Sequence, residues 1–161
     1  MTEKTNAARI LDRLRIAYRL VGYEVDESDL SAETVAKKVG LSPEQVWKTL
    51  LVRGDKVGPF FAVVPAGHEL DLKACARAVG DKKVLPVPLK EVEPLTGYVR
   101  GGVTVFGAKK AFRVVVDSRM RTHELVSVSA GVRGTQIFLA PLDYLRAAQA
   151  TEADIARPVE A

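Results

Sequence analysis

Thr49-Leu50-Leu51-Val52-Arg53-Gly54-Asp55-Lys56-Val57-Gly58-Pro59-Phe60-Phe61-Ala62-Val63-Val64 holds two β-rich runs around a short polar turn. Branched and aromatic residues fill both runs, while Arg53-Gly54-Asp55-Lys56 supplies turn chemistry, so the stretch is expected to fold as a hairpin turning near Gly54. A hairpin joins antiparallel neighbours without a crossover helix. Its presence in the middle of the chain argues against a doubly wound parallel sheet.

Working outward, Ser42-Pro43-Glu44-Gln45 precedes the hairpin with a capping serine, a proline suited to the first helical position and a glutamine able to close a capping box. A very short helix is expected there, with Lys48 where it passes into the first strand. Ala32, Val35, Ala36 and Val39 form an apolar helical stripe between Ser31, an N-cap, and Gly40, a left-handed stop. Ala7, Ile10, Leu11 and Leu14 make a similar stripe over about residues 5–15, and Val21, Tyr23 and Val25 alternate as one face of a strand. Beyond the hairpin, Leu72, Cys75, Ala76 and Val79 mark a helix bounded by Asp71 and Gly80. The proline-containing segment from Val84 to Pro94 reads as an edge strand followed by a helix. Strands are expected at Phe112–Val116, Leu125–Val128 and Ile137–Leu139, followed by a helix opened by Pro141. The expected architecture is α+β: a mixed, strongly curved, barrel-like sheet with surrounding helices. It forms a single domain over residues 1–161, with a tail frayed from about residue 150.

Composition bounds the function. With 161 residues, 24 Lys+Arg against 20 Asp+Glu and 47% apolar residues, the chain suits one globular domain rather than a disordered one. No apolar stretch approaches the roughly 20 residues of a membrane span, and the N-terminal residues carry no secretory pattern, so a cytoplasmic protein without a membrane partner is expected. A single cysteine excludes an internal disulfide, and two histidines make a His-based metal cage improbable; no metal and no cofactor are expected.

The most unusual segment is Gly97-Tyr98-Val99-Arg100-Gly101-Gly102-Val103-Thr104-Val105-Phe106-Gly107-Ala108-Lys109-Lys110. Glycines let backbone N–H groups approach a ligand, and successive N–H groups can cradle an anion or a developing oxyanion. It lacks the lysine and hydroxyl positions of a P-loop. Taken by itself, the segment is read slightly more readily as a glycine-rich turn between strands than as a site. Cys75 lies on an apolar helix stripe, which suits a buried inert thiol, and His68 is expected in a loop. No hydrolase elbow or zincin motif occurs. The basic pairs Lys37-Lys38, Lys82-Lys83 and Lys109-Lys110, with Arg113, Arg119, Arg121 and Arg133, leave a polyanion partner open.

Four segments carry a resemblance: Val46-Trp47-Lys48-Thr49-Leu50-Leu51-Val52, His68-Glu69-Leu70-Asp71-Leu72-Lys73, Thr96-Gly97-Tyr98 through Lys110, and Val128-Ser129-Ala130-Gly131-Val132-Arg133-Gly134. In order and spacing they resemble the YbaK/EbsC family of free-standing aminoacyl-tRNA deacylases, similar to the editing domain inserted in bacterial prolyl-tRNA synthetase. The resemblance runs from about Tyr23 to Leu139. It implies a trans-editing hydrolase for the ester of mischarged Cys-tRNA(Pro), and of Cys-tRNA(Cys). Cysteine and proline are near-isosteres that a size-selecting pocket separates poorly, which calls for a second sieve.

By this resemblance Lys48 engages the terminal phosphate or ribose, and Gly101 and Gly102 hold the scissile carbonyl through their N–H groups. Tyr23, Thr104, Ser129 and Gln136 line the substrate pocket. The family supplies no dedicated general base, and for Cys-tRNA the substrate's thiol assists. Two departures stand out. The family's Gly-Gly-x-Ser-Pro-x-Gly becomes Gly101-Gly102-Val103-Thr104-Val105-Phe106-Gly107, and its acidic position is Gln136. They bear on which amino acid is removed, leaving open a related deacylase for Ala, Ser or Thr. They also leave open a non-catalytic tRNA-binding module or a binding domain for a small nucleotide or amino acid. The implied partners are the aminoacyl-tRNA 3′ end and, transiently, prolyl-tRNA synthetase; DNA is not expected.

Overall fold

The computed structural model describes residues 3–159. The central hairpin pairs β2 (Trp47–Gly54) with β3 (Gly58–Pro65) antiparallel, from Trp47 opposite Pro65 to Gly54 opposite Gly58. Gly58 turns the corner at φ +76°, a left-handed conformation that glycine adopts without steric cost. Both faces of the hairpin are covered. Phe60, Ala62 and Val64 pack with Val52 against Cys75, Ala76 and Val79, whereas Phe61 and Val63 pack with Trp47 and Leu51 against Leu11, Met120 and Tyr144. Double burial explains why β3 is a continuous apolar run rather than an alternating one.

Local signals placed the helices. Helix α1 (Asn6–Arg13) is capped by Thr5, and α2 (Ala32–Val39) runs from the Ser31 cap to left-handed Gly40. A 3-10 turn over Pro43–Gln45 carries the reciprocal Ser42–Gln45 capping box. Helix α3 (Leu72–Val79) lies between Asp71, whose carboxylate accepts the Ala74 N–H, and left-handed Gly80. Helices α4 (Leu89–Thr96) and α5 (Pro141–Ala147) complete the set.

The sheets depart from the expected barrel. β2 is flanked by β5 (Val84–Pro86), and β3 by the parallel strands β6 (Val114–Asp117) and β9 (Thr151–Ala153), giving five strands in the order β5-β2-β3-β6-β9. A second sheet orders β1 (Arg19–Gly22), β8 (Thr135–Leu139) and β7 (Val126–Ser129) antiparallel. A third pairs β4 (His68–Leu70) with β10 (Ala156–Pro158). No sheet closes on itself. One bridge, Val46 to Ser127, joins the hairpin sheet to the β1-β8-β7 sheet, after which β7 pairs only with β8. The result is a mixed α+β domain of separate sheets sharing a core.

The expected frayed tail is likewise corrected, because residues 151–158 supply β9 and β10. Asp117, fully buried at the end of β6, accepts the backbone N–H groups of Ile155 at 2.9 Å and Ala156 at 2.8 Å, and also pairs with Arg119. Ile155 is itself fully buried. The two strands span three residues each, too short to show a period in sequence, and a distant carboxylate anchors them. His68, expected in a loop, lies in β4 for the same reason.

Candidate functional site

The gap between sheets makes the site. Strand β5 pairs with β2 only from Val52 to Gly54, and β7 of the other sheet packs beside β2 but is bridged to the hairpin only at Val46, so the intervening edge of β2 faces a cleft of about 720 Å³. Helix α2, the start of α4, the glycine-rich segment and the ends of β7 and β8 form its walls. Lys48, Gly101, Ser129 and Gln136 all line it.

Lys48 is half-buried on β2 and enters no ion pair among the described residues. Along the same wall its charge acts on Glu33, in the first turn of α2. Partial burial works against ionisation of the Glu33 carboxyl. Hydrogen bonds from backbone N–H groups, chiefly that of Gly67 at 2.7 Å, and the Lys48 charge outweigh it, so the carboxyl is held below its ordinary range. The wall therefore presents a compact cation beside a fixed carboxylate.

The glycine-rich segment is an ordered loop that packs on itself. The Tyr98 hydroxyl donates to the Phe106 carbonyl at 2.6 Å, the Lys109 N–H donates to the Thr96 carbonyl at 3.0 Å, and Phe106 is buried edge-on against Tyr144. These closures supply the stiffness that a proline at Val105 would provide. Gly101 sits at φ +86°, and its N–H has no acceptor among the described residues. A Cβ at Gly101 would meet Arg133 and Leu30 at 3.4 Å.

Three expected site residues fall elsewhere. The Gly102 N–H donates to the Val99 carbonyl at 2.8 Å, closing a turn, and its missing Cβ lets the chain pass the Val132 backbone, which a Cβ would approach to 3.1 Å. Gly102 is buried and is a packing glycine, not an open donor. Thr104 is buried with its hydroxyl accepting the Phe106 N–H, so it braces the loop from inside. Tyr23 follows β1, donates its N–H to the Gly134 carbonyl and packs against Val35, Ala36 and Val46. It borders a separate shallow groove with Lys38. The expected strand face of Val21, Tyr23 and Val25 is cut short, because β1 ends at Gly22 and Tyr23 lies just beyond it.

The remaining two expected residues have defined settings. Ser129 accepts the Gly131 N–H at 3.1 Å, which shapes the turn after β7. Gln136 is 5% exposed, and its side-chain carbonyl accepts the buried Ser127 hydroxyl at 2.7 Å. Its amide nitrogen has no protein partner among the described residues, so the group left for a ligand is a neutral donor. Sequence reasoning missed Glu33, Trp47 and Val103 as wall residues. Trp47, the chain's one tryptophan, is buried beside Lys48 with its indole N–H unpartnered, and its place before that lysine was the available signal.

Cys75 is fully buried on the inner face of α3, and burial pushes its thiol up to about 11, which disfavours a thiolate nucleophile near neutrality. Arg119 and Arg121 are engaged by Asp117 and Glu152. Arg100 remains on the cleft rim, its carbonyl held by Arg133 at 2.8 Å. No helix among the described residues is long and apolar enough to cross a membrane.

The model of the aminoacyl-tRNA editing domain matches residues 26–147. EbsC of Enterococcus faecalis, named as a candidate Cys-tRNA(Pro)/Cys-tRNA(Cys) deacylase, is 42% identical over 139 residues, covering 86% of this chain and 85% of that protein. The multifunctional Ser/Thr-tRNA deacylase ProXp-y of Escherichia coli is 28% identical over 121 residues, covering 73% of this chain and 72% of that one. The fold matches a crystal structure described as a candidate trans-editing enzyme for prolyl-tRNA synthetase. The TM-score is 0.81 at 24% identity, covering 97% of this chain and 99% of that one. With a family model spanning most of its length and a close relative covering nearly all of it, this chain belongs to the aminoacyl-tRNA editing domain family.

Proposed function

We propose that the protein is a trans-editing hydrolase that cleaves the ester of mischarged aminoacyl-tRNA, with Cys-tRNA(Pro) and Cys-tRNA(Cys) as its substrates. The observation that carries the reading is the meeting of Lys48, Gly101, Ser129 and Gln136 on one cleft large enough for an aminoacylated adenosine. In this reading the Gly101 N–H, rather than that of Gly102, donates to the scissile carbonyl. Water attacks the carbonyl carbon, the negative charge collects on the oxygen facing that donor, and collapse releases the amino acid and the ribose hydroxyl. A well-placed oxyanion donor contributes about 3 kcal/mol to such a step. Lys48 holds the terminal phosphate or ribose oxygens as a point charge. Ser129 and the Gln136 amide orient the aminoacyl group, and a cysteine substrate's thiol assists the attack.

The neutral donor at Gln136 suits a small side chain bearing a lone pair, which favours cysteine and admits serine. A transient complex with prolyl-tRNA synthetase, in the cytoplasm, would deliver the tRNA(Pro) substrate; co-elution of the two proteins with tRNA tests it, and separate elution at every ratio rejects it.

The activity is tested by ester half-lives of Cys-tRNA(Pro), Cys-tRNA(Cys), Ala-tRNA(Pro), Ser-tRNA and Thr-tRNA with and without protein. Cysteinyl esters are expected to be cleaved fastest. Faster loss of an alanyl, seryl or threonyl ester would replace the cysteine assignment within the same reaction class. Unchanged half-lives with salt-sensitive tRNA binding would identify a binding module instead.

A further inference from the structure

We propose that the open edge of β2 between Trp47 and Leu51 is the subsite for the terminal adenine base, read through its N1 and exocyclic amine. The inference rests on the deacylase reading and assigns a part of the substrate that Lys48 and Gly101 do not account for.

In an antiparallel ladder, alternate residues turn both backbone polar groups to the same neighbour. The Ala66 N–H donates to the Val46 carbonyl from the β3 side, while the Val87 N–H donates to the Leu51 carbonyl from the opposite side. Even-numbered residues of β2 therefore bond to β3, and Trp47, Thr49 and Leu51 turn their polar groups to the cleft. The ladder to β5 begins at Val52, the only bridge to β7 is at Val46, and no loop or side chain bonds to the Thr49 backbone among the described residues. The cleft thus receives an alternating row: the Trp47 carbonyl, the Thr49 N–H, the Thr49 carbonyl and the Leu51 N–H.

Both ends of this row are blocked, by the Ser127 bridge and by Val87, and the opening is shorter than an ordinary strand of about 5–6 residues. An added peptide strand does not fit. A flat heterocycle does, because one acceptor and one neighbouring donor are what adenine's amine and N1 require. Leu50 and Leu70 on one side, and Val87, Val92 and Val103 on the other, line the same cleft with apolar surface for the faces of a ring. Buried backbone groups are paired in the great majority of folded proteins, so an unpaired row at the wall of a cleft points to a ligand that completes it.

The test uses Cys-tRNA(Pro) whose terminal adenosine is replaced by purine riboside, which lacks the amine, by 1-deazaadenosine, which lacks N1, or by 7-deazaadenosine, which keeps both. The first two are expected to lower kcat/KM about fivefold to tenfold each, the loss of one neutral hydrogen bond, and the third to leave it unchanged. Thr49→Pro and Leu51→Pro each remove one cleft-facing N–H without touching the ladder to β3, and one of them is expected to abolish the sensitivity to 1-deazaadenosine. Parent enzyme that hydrolyses the adenosine substrate and is indifferent to both deletions overturns the adenine subsite while the deacylase reading stands. Sensitivity to 1-deazaadenosine retained in both folded proline variants overturns its placement on β2. Absence of hydrolysis with the unmodified substrate overturns the deacylase reading itself. If the proline variants do not fold, the analogue series on the parent decides.

Discussion

Lys48→Ala is expected to slow single-turnover deacylation of Cys-tRNA(Pro) by about 10- to 100-fold, the loss of a charge-assisted hydrogen bond in a partly enclosed site. The prediction follows from what the lysine does not do in the free protein. It makes no ion pair among the described residues, and from its half-buried position on the cleft wall its charge acts on the nearby Glu33 carboxyl without pairing with it, which leaves the ammonium available to a ligand. Removing it leaves the packing of Trp47 and Leu51 intact, so folding stability should change by less than about 1 kcal/mol. Lys48→Arg keeps the charge but spreads it over a planar fork, and a partial rescue separates point-charge placement from net charge. Hydrolysis at the parental rate by folded Lys48→Ala would remove the residue from the mechanism.

The largest stability effect is expected at a residue outside the cleft. Asp117→Ala should destabilise the protein by about 3–5 kcal/mol, because three backbone N–H groups and a guanidinium lose a fully buried acceptor. For a chain of this size that corresponds to a fall in Tm of about 10 °C. The loss is local first. Amide exchange over residues 151–158 should accelerate ahead of the hairpin, since β9 and β10 depend on Asp117 while β2 and β3 do not. A change below about 1 kcal/mol, or uniform acceleration across the chain, would show that the tail is held by its apolar contacts alone.

These two residues differ in how legible they were. Lys48 stands in a run whose residue types and order resemble the family's, so its position on the cleft wall followed once β2 formed. Asp117 ends an apolar strand in a run that reads as an ordinary strand terminus. Its function depends on Ile155 and Ala156, 38 and 39 residues away. Gly101 and Gly102 make the same point at closer range. Adjacent glycines in a loop look equivalent in sequence, yet one leaves its N–H open at φ +86° and the other spends it on Val99 while its missing Cβ admits the Val132 backbone.

By itself the sequence determined the helices, the hairpin and the reaction family. Caps such as Ser31, Asp71 and the Ser42–Gln45 box act within one turn, and a hairpin needs only its two runs and the turn between them, so their causes lie within a few residues. Tertiary structure alone decided that the sheets stay separate, that the tail is bound, that Tyr23 and Thr104 leave the cleft, and that the edge of β2 stays open. Each of these depends on which distant backbone groups find partners, and hydrogen-bond saturation across a fold is a property of the whole chain rather than of any window in it.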